Sequence, residues 1–91
     1  MVLKAKDEFL LKEIAGQWIL MPTTDTNQGS VKIMTLTSSA ALLWSELAKG
    51  VDSIDELANA LLREYDIEYK MAVKDSMSFV AQLREYGMLD Q

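Results

Sequence analysis

Residues 36–50 read LTSSAALLWSELAKG, and the rest of the chain is organised around them. Thr37, Ser38 and Ser39 offer side-chain oxygens to the unpaired amides of a helix start. Ala40, Leu43, Trp44, Leu47 and Ala48 come next at spacings of three and four, which places them on one helical face, and Gly50 closes the segment. The chain before this stretch has the character of strands, and the chain after it has the character of two more amphipathic helices. A small sheet and a helical layer must therefore meet across it.

Working upstream, residues 9–14 (FLLKEI) and 18–22 (WILMP) are short apolar-rich runs on either side of a turn containing Gly16. Pro22 cannot donate to a ladder and ends the second run, so the pair reads as a β-hairpin. Residues 23–30 (TTDTNQGS) are polar and turn-forming, and they lead into a third strand over residues 31–36 (VKIMTL). In an antiparallel meander the third strand has one neighbour. Its far side carries unpaired backbone donors and acceptors unless another segment covers them.

Downstream, Ser53-Ile54-Asp55-Glu56 matches a capping box, with Ser53 as cap and Glu56 reaching back. Ile54, Leu57, Ala58, Leu61, Leu62 and Tyr65 continue as one apolar stripe. The last helix has Tyr69, Ala72, Val73, Met77, Phe79, Val80, Leu83 and Tyr86 as its apolar positions. Gly87 suits the left-handed position after a helix, and Met88 then folds back onto Leu83. The spacing predicts helices over residues 38–49, 53–65 and 69–86. Three strands and then three helices define an α+β, winged-helix-like arrangement, and the linkers are short enough that residues 1–91 form a single domain.

Composition narrows the chemistry. The 91 residues include no cysteine, which removes disulfides and thiolate chemistry and points to a reducing compartment. They include no histidine, which removes the commonest general base and metal ligand together. A net charge of -5 opposes non-specific attraction to nucleic acid or to an anionic membrane. No apolar run approaches the ~20 residues needed to span a bilayer, and residues 1–7 lack the apolar region of a signal peptide. The expected location is the cytoplasm.

The residues bear on three functional classes. For an enzyme or a cation site, the candidates are Asp52, Asp55 and Glu56, but anions at a helix start are already favoured by the macrodipole. No catalytic residue, cofactor site or metal site is expected. For a winged-helix DNA-binding domain, the recognition helix needs a basic face, whereas Lys70, Lys74 and Arg84 are interleaved with Glu68, Asp75 and Glu85. The third class is peptide capture by strand addition at the uncovered edge, with a neighbouring helix selecting side chains. With Phe79 and Leu83 at the centre of the last helix's buried face, Met71, Asp75, Ser78 and Gln82 lie along one flank, and Val73, Met77 and Arg84 along the other. Either flank can face the edge strand.

The spaced set Phe9-Leu-Leu-Lys-Glu-Ile-Ala-Gly16, Trp18 to Pro22, Leu36-x3-Ala40-x3-Trp44-x2-Leu47-x2-Gly50, Ile54-x2-Leu57-x3-Leu61-x3-Tyr65-Asp66 and Asp75-x3-Phe79-x3-Leu83-x3-Gly87-Met88-Leu89 resembles the PqqD family. Thr37 stands where that family often has Asn, and Met88 where it often has Leu; both keep the same mechanics. The resemblance implies a non-catalytic recognition element that holds the leader of a ribosomally made precursor peptide as an extra strand and presents it to a modifying enzyme. That partner would be a radical SAM protein or a leader peptidase. Carried onto this sequence, the peptide-binding residues would be Lys32, Ile33, Met34 and Thr35 through their backbones, with Met71, Lys74, Asp75 and Ser78 on the helix. Val73 and Met77 on the opposite flank are the alternative. The uncovered edge leaves a monomer or an edge-paired homodimer as the expected states.

Overall fold

The structure is a computed structural model in which residues 2–22 and 33–89 are described. It is an α+β fold: a three-stranded antiparallel sheet, then three helices. The strands are β1 (Phe9–Ile14), β2 (Gln17–Pro22) and β3 (Met34–Leu36), and the helices are α1 (Ser38–Lys49), α2 (Ile54–Glu64) and α3 (Tyr69–Glu85). The sheet order is β1-β2-β3, so β2 is central.

The hairpin forms because Ile14 pairs with Gln17, leaving a two-residue loop in which Ala15 and Gly16 both adopt positive φ, 53° and 79°. That is the geometry whose twist matches the flanking strands. Alternation then sorts the side chains. Phe9, Leu11, Trp18, Leu20, Met34 and Leu36 pack into or against the core, while Leu10 and Ile14 remain exposed on the other face.

Thr37 caps α1 with its Oγ1, which accepts from the Ala40 amide at 3.2 Å. Leu43, Trp44 and Leu47 bury the α1 face as expected, but Ala41 joins them and Ala48 is exposed. The rings of Trp44 and Phe9 meet edge-to-face, with centroids 6.4 Å apart, and so tie the helical layer to β1. At the start of α2 the expected capping box is only half formed. Ser53 makes no side-chain cap, and Glu56 reaches back to the amide of Asp52 instead, one residue beyond the position a capping box requires. Tyr65 is its C-cap and is exposed.

The buried face of α3 also departs from the sequence reading. Ala72, Phe79, Val80 and Leu83 are core residues, but Tyr69, Met77 and Tyr86 are exposed, and Ser76 takes a fully buried position. At 100° per residue, Ser76 lies in line with Ala72, Phe79 and Leu83, and Met77 is carried out of that stripe. The end of α3 agrees with expectation. Gly87 has φ 70°, its amide donates to Arg84, and the amide of the fully buried Met88 donates to the Leu83 carbonyl at 2.9 Å. This is the paired hydrogen-bond pattern of a Schellman ending.

An unanticipated feature is the amino-terminal segment. Leu3 and Val51 exchange two backbone hydrogen bonds of 2.7 and 2.9 Å, and the amides of Ala5 and Lys6 donate to the carbonyls of Leu47 and Met88. Leu3 and Ala5 are buried, so the segment straps the α1–α2 link to the chain's last turn. The polar turn read over residues 23–30 lies outside the described residues, as do residues 31–32 of the expected third strand. Ile33 stands just before β3 and is not part of it.

Candidate functional site

A sheet ordered β1-β2-β3 leaves β3 paired on one side, through Trp18↔Leu36, Ile19↔Thr35 and Leu20↔Met34. Among the described residues no strand adjoins its other side, and half of its backbone groups point there. Met34 and Leu36 anchor β3 by burying their side chains, at 8% and 7% exposure. Thr35 and the preceding Ile33 project outward, Ile33 with 60% exposure. In this register Met34 and Leu36 turn their N–H and C=O toward β2, while Ile33 and Thr35 present theirs to the edge.

One residue, Thr37, separates β3 from α1, so the edge runs directly into the α1 start. There a cleft of about 330 Å³ lies between α1 and α3. Ala40, Leu43, Leu61 and Phe79 give it apolar walls, and Thr37, Ser39, Asp75, Ser78 and Gln82 supply its polar groups. Asp75, Ser78, Phe79 and Gln82 are spaced i, i+3, i+4 and i+7, which is one continuous face of α3. A second cleft of about 310 Å³ shares Thr37, Ser39, Leu61 and Asp75 and extends toward Tyr65 and Ile67. A third, of about 380 Å³, lies against β1 and β2, lined by Leu11, Trp18, Leu42 and Tyr65 among others, and has no α3 residue in its walls.

The structure brings together only some of the residues named from the sequence. Asp75 and Ser78 line the α1–α3 cleft beside the end of β3. Met71 is half exposed and Lys74 is exposed, and neither lines that cleft. On the opposite flank Val73 packs against the core and Met77 is exposed. Lys32 lies outside the described residues. The α1 wall of the cleft is not part of the site expected from sequence, although the run of hydroxyls at Thr37 to Ser39 is its visible signal. Of the acidic residues at the α2 start, Asp55 accepts the Tyr69 hydroxyl and Glu56 accepts the Asp52 amide, so both are occupied in local contacts. Tyr69 is pushed above its ordinary value of 10.0, chiefly because that hydrogen bond needs the phenol proton. Among the described residues no group of histidine, cysteine, aspartate or glutamate is placed to hold a metal ion. No helix among them is long and apolar enough to cross a membrane.

The fold and this site define a class: a small winged-helix-like α+β protein in which a sheet edge that no described strand pairs leads into a helix-lined cleft. The chain belongs to the PqqD family, described as coenzyme PQQ synthesis protein D, whose model matches residues 17–89. No curated protein matches it. Two solved structures share its fold. One, described as "Lasso peptide synthetase B1 complexed with the leader peptide", is 24% identical with a TM-score of 0.73 and coverage of 98% of both chains. The other, "TbiB1 in Complex with the TbiA(beta) Leader Peptide", is 20% identical with a TM-score of 0.72, covering 96% of this chain and 94% of that one.

Proposed function

We propose that this protein is a non-catalytic peptide-recognition domain. It takes the leader of a ribosomally made precursor peptide as a fourth strand on the open edge of β3, and presents it to a modifying enzyme of the radical SAM or leader-peptidase kind in the cytoplasm. The observation that carries this reading is the unpaired side of β3 running into a cleft walled by Asp75, Ser78, Phe79 and Gln82 of α3. Strand addition draws affinity from main-chain hydrogen bonds and specificity from pockets for alternate side chains, and both are present side by side. Family membership and two fold neighbours each described as a complex with a leader peptide support the same assignment. In this reading the segment of Lys32, Ile33, Met34 and Thr35 lies beside the leader, and the outward backbone groups of Ile33 and Thr35 bond to it. Asp75 and Ser78 meet its side chains in the cleft, and Met71 and Lys74 extend the contact along α3 toward its start.

The test is a two-dimensional amide NMR titration with synthetic leader regions from small open reading frames beside the gene. Shifts should concentrate in residues 33–37 and 71–82. Ile33→Pro, which fixes φ and removes a donor at the edge, should weaken binding by at least about tenfold, the loss expected for one or two hydrogen bonds, while leaving the helices' spectrum unchanged. Normal binding by Ile33→Pro, or tight and salt-sensitive binding to duplex DNA in place of any peptide, overturns the assignment.

A further inference from the structure

The two clefts beside β3 share Thr37, Ser39, Leu61 and Asp75, and of the described residues lining either one, Asp75 alone carries charge. Asp75 sets the sign of the space, because the hydroxyl and amide groups around it can donate or accept. Thr37 Oγ1 accepts the Ala40 amide and lies 3.2 Å from Ser39 Oγ, which leaves two lone pairs between the two hydroxyl oxygens whichever of them donates. Ser78 and Gln82 add further oxygens on the α3 side. The floor of Ala40, Leu43, Leu61 and Phe79 is apolar. A space with an apolar floor, a rim of groups able to accept and a single carboxylate fits a side chain with an aliphatic stem and a cationic tip. A carboxylate or phosphate guest would meet Asp75 as a like charge. Lys74, the adjacent cation, lies outside both linings and does not neutralise the space from within.

We propose that Asp75 is the specificity-determining residue of the peptide site, selecting one lysine or arginine of the bound strand. Its stem would lie on Leu43 and Phe79 and its tip against the Asp75 carboxylate on the Ser78 and Gln82 side, away from the α1 start, whose dipole disfavours a cation. This rests on the strand-addition reading and adds to it a fixed position of basic preference. It differs from a general attraction of basic peptides to a chain of net charge -5, which would favour lysine equally at every position.

A positional-scanning library of acetylated, amidated 12-residue peptides separates these cases by affinity capture on the immobilised protein. The wild type should enrich lysine and arginine at one position of the retained peptides. Asp75→Asn should reduce that enrichment about tenfold, as expected for loss of a charge-assisted hydrogen bond, and Asp75→Lys should replace it with glutamate or aspartate at the same position. The amide spectrum of each variant reports that the fold is kept. Enrichment that survives Asp75→Asn, or that is spread evenly along the peptide, overturns the role of Asp75 while leaving strand addition intact. If the wild type retains no peptide at all, the strand-addition reading fails with it.

Discussion

Ala15 holds a φ of 53°, a region that L-residues with a Cβ enter at a cost of roughly 1 kcal/mol. It stays there because Ile14 and Gln17 are already paired, and a two-residue loop between them needs positive φ at both positions. Asparagine visits this region readily. Ala15→Asn should therefore stabilise the fold by about 0.5–1 kcal/mol and raise Tm by roughly 4 °C, read by thermal melting with circular dichroism detection. The Tyr69–Asp55 contact joins the α3 start to the α2 start, and its sign is fixed by the phenol proton. Because the folded-state value is raised, its contribution is present below the unfolded tyrosine value and is lost as pH rises through the folded one. An NMR titration of labelled Tyr69 should place its ionisation above the ordinary tyrosine range, and Asp55→Asn should bring it back down.

At the scale of elements, α1 and α3 were legible because their apolar residues recur at helical spacing and their ends carry Thr37 and Gly87. Periodicity does not reveal how helices cross. The α3 flank of Asp75, Ser78 and Gln82 could be drawn from sequence, but its opposing wall of Ser39, Leu43 and Leu61 depends on the packing of three helices. Met77 shows the same limit, being apolar by type but set outside the buried stripe, while Ser76 within it buries a hydroxyl that finds no hydrogen-bond partner among the described residues. The amino-terminal strap is illegible for a different reason. Leu3-Lys4-Ala5-Lys6 alternates like a strand but is too short to stand out, and its partners Val51 and Leu89 are brought to it only by the completed fold. The strap is nonetheless integral, since Leu3 is 8% exposed and its backbone is paired on both sides of the residue. Leu3→Ala should cost about 2–3 kcal/mol in urea unfolding with an unchanged slope, as expected for a core truncation. A cost below about 0.5 kcal/mol would show that the strap is not part of the cooperative unit.

For the whole molecule, the open edge couples occupancy to stability. Met34 and Leu36 bind β3 into the core that α1, α2 and α3 also share, so a strand added to β3 stabilises the complete fold and not the sheet alone. A ligand that binds only the folded state, at about one hundred times its Kd, adds about 2.7 kcal/mol. For a domain of this size that corresponds to a rise in Tm of roughly 10–20 °C. The same edge can be satisfied by a second copy of the chain, and linkage separates the two states. An edge-paired homodimer makes Tm increase with protein concentration in the absence of peptide, and makes the rise on adding leader smaller at high protein concentration, because peptide must displace the partner. A monomer shows neither dependence. The net charge of -5 on each copy opposes their approach. The expected outcome is thus a Tm independent of protein concentration over a hundredfold range, with the full rise on adding leader. A concentration-dependent Tm that Ile33→Pro abolishes would instead establish that the edge pairs with itself until a leader displaces it.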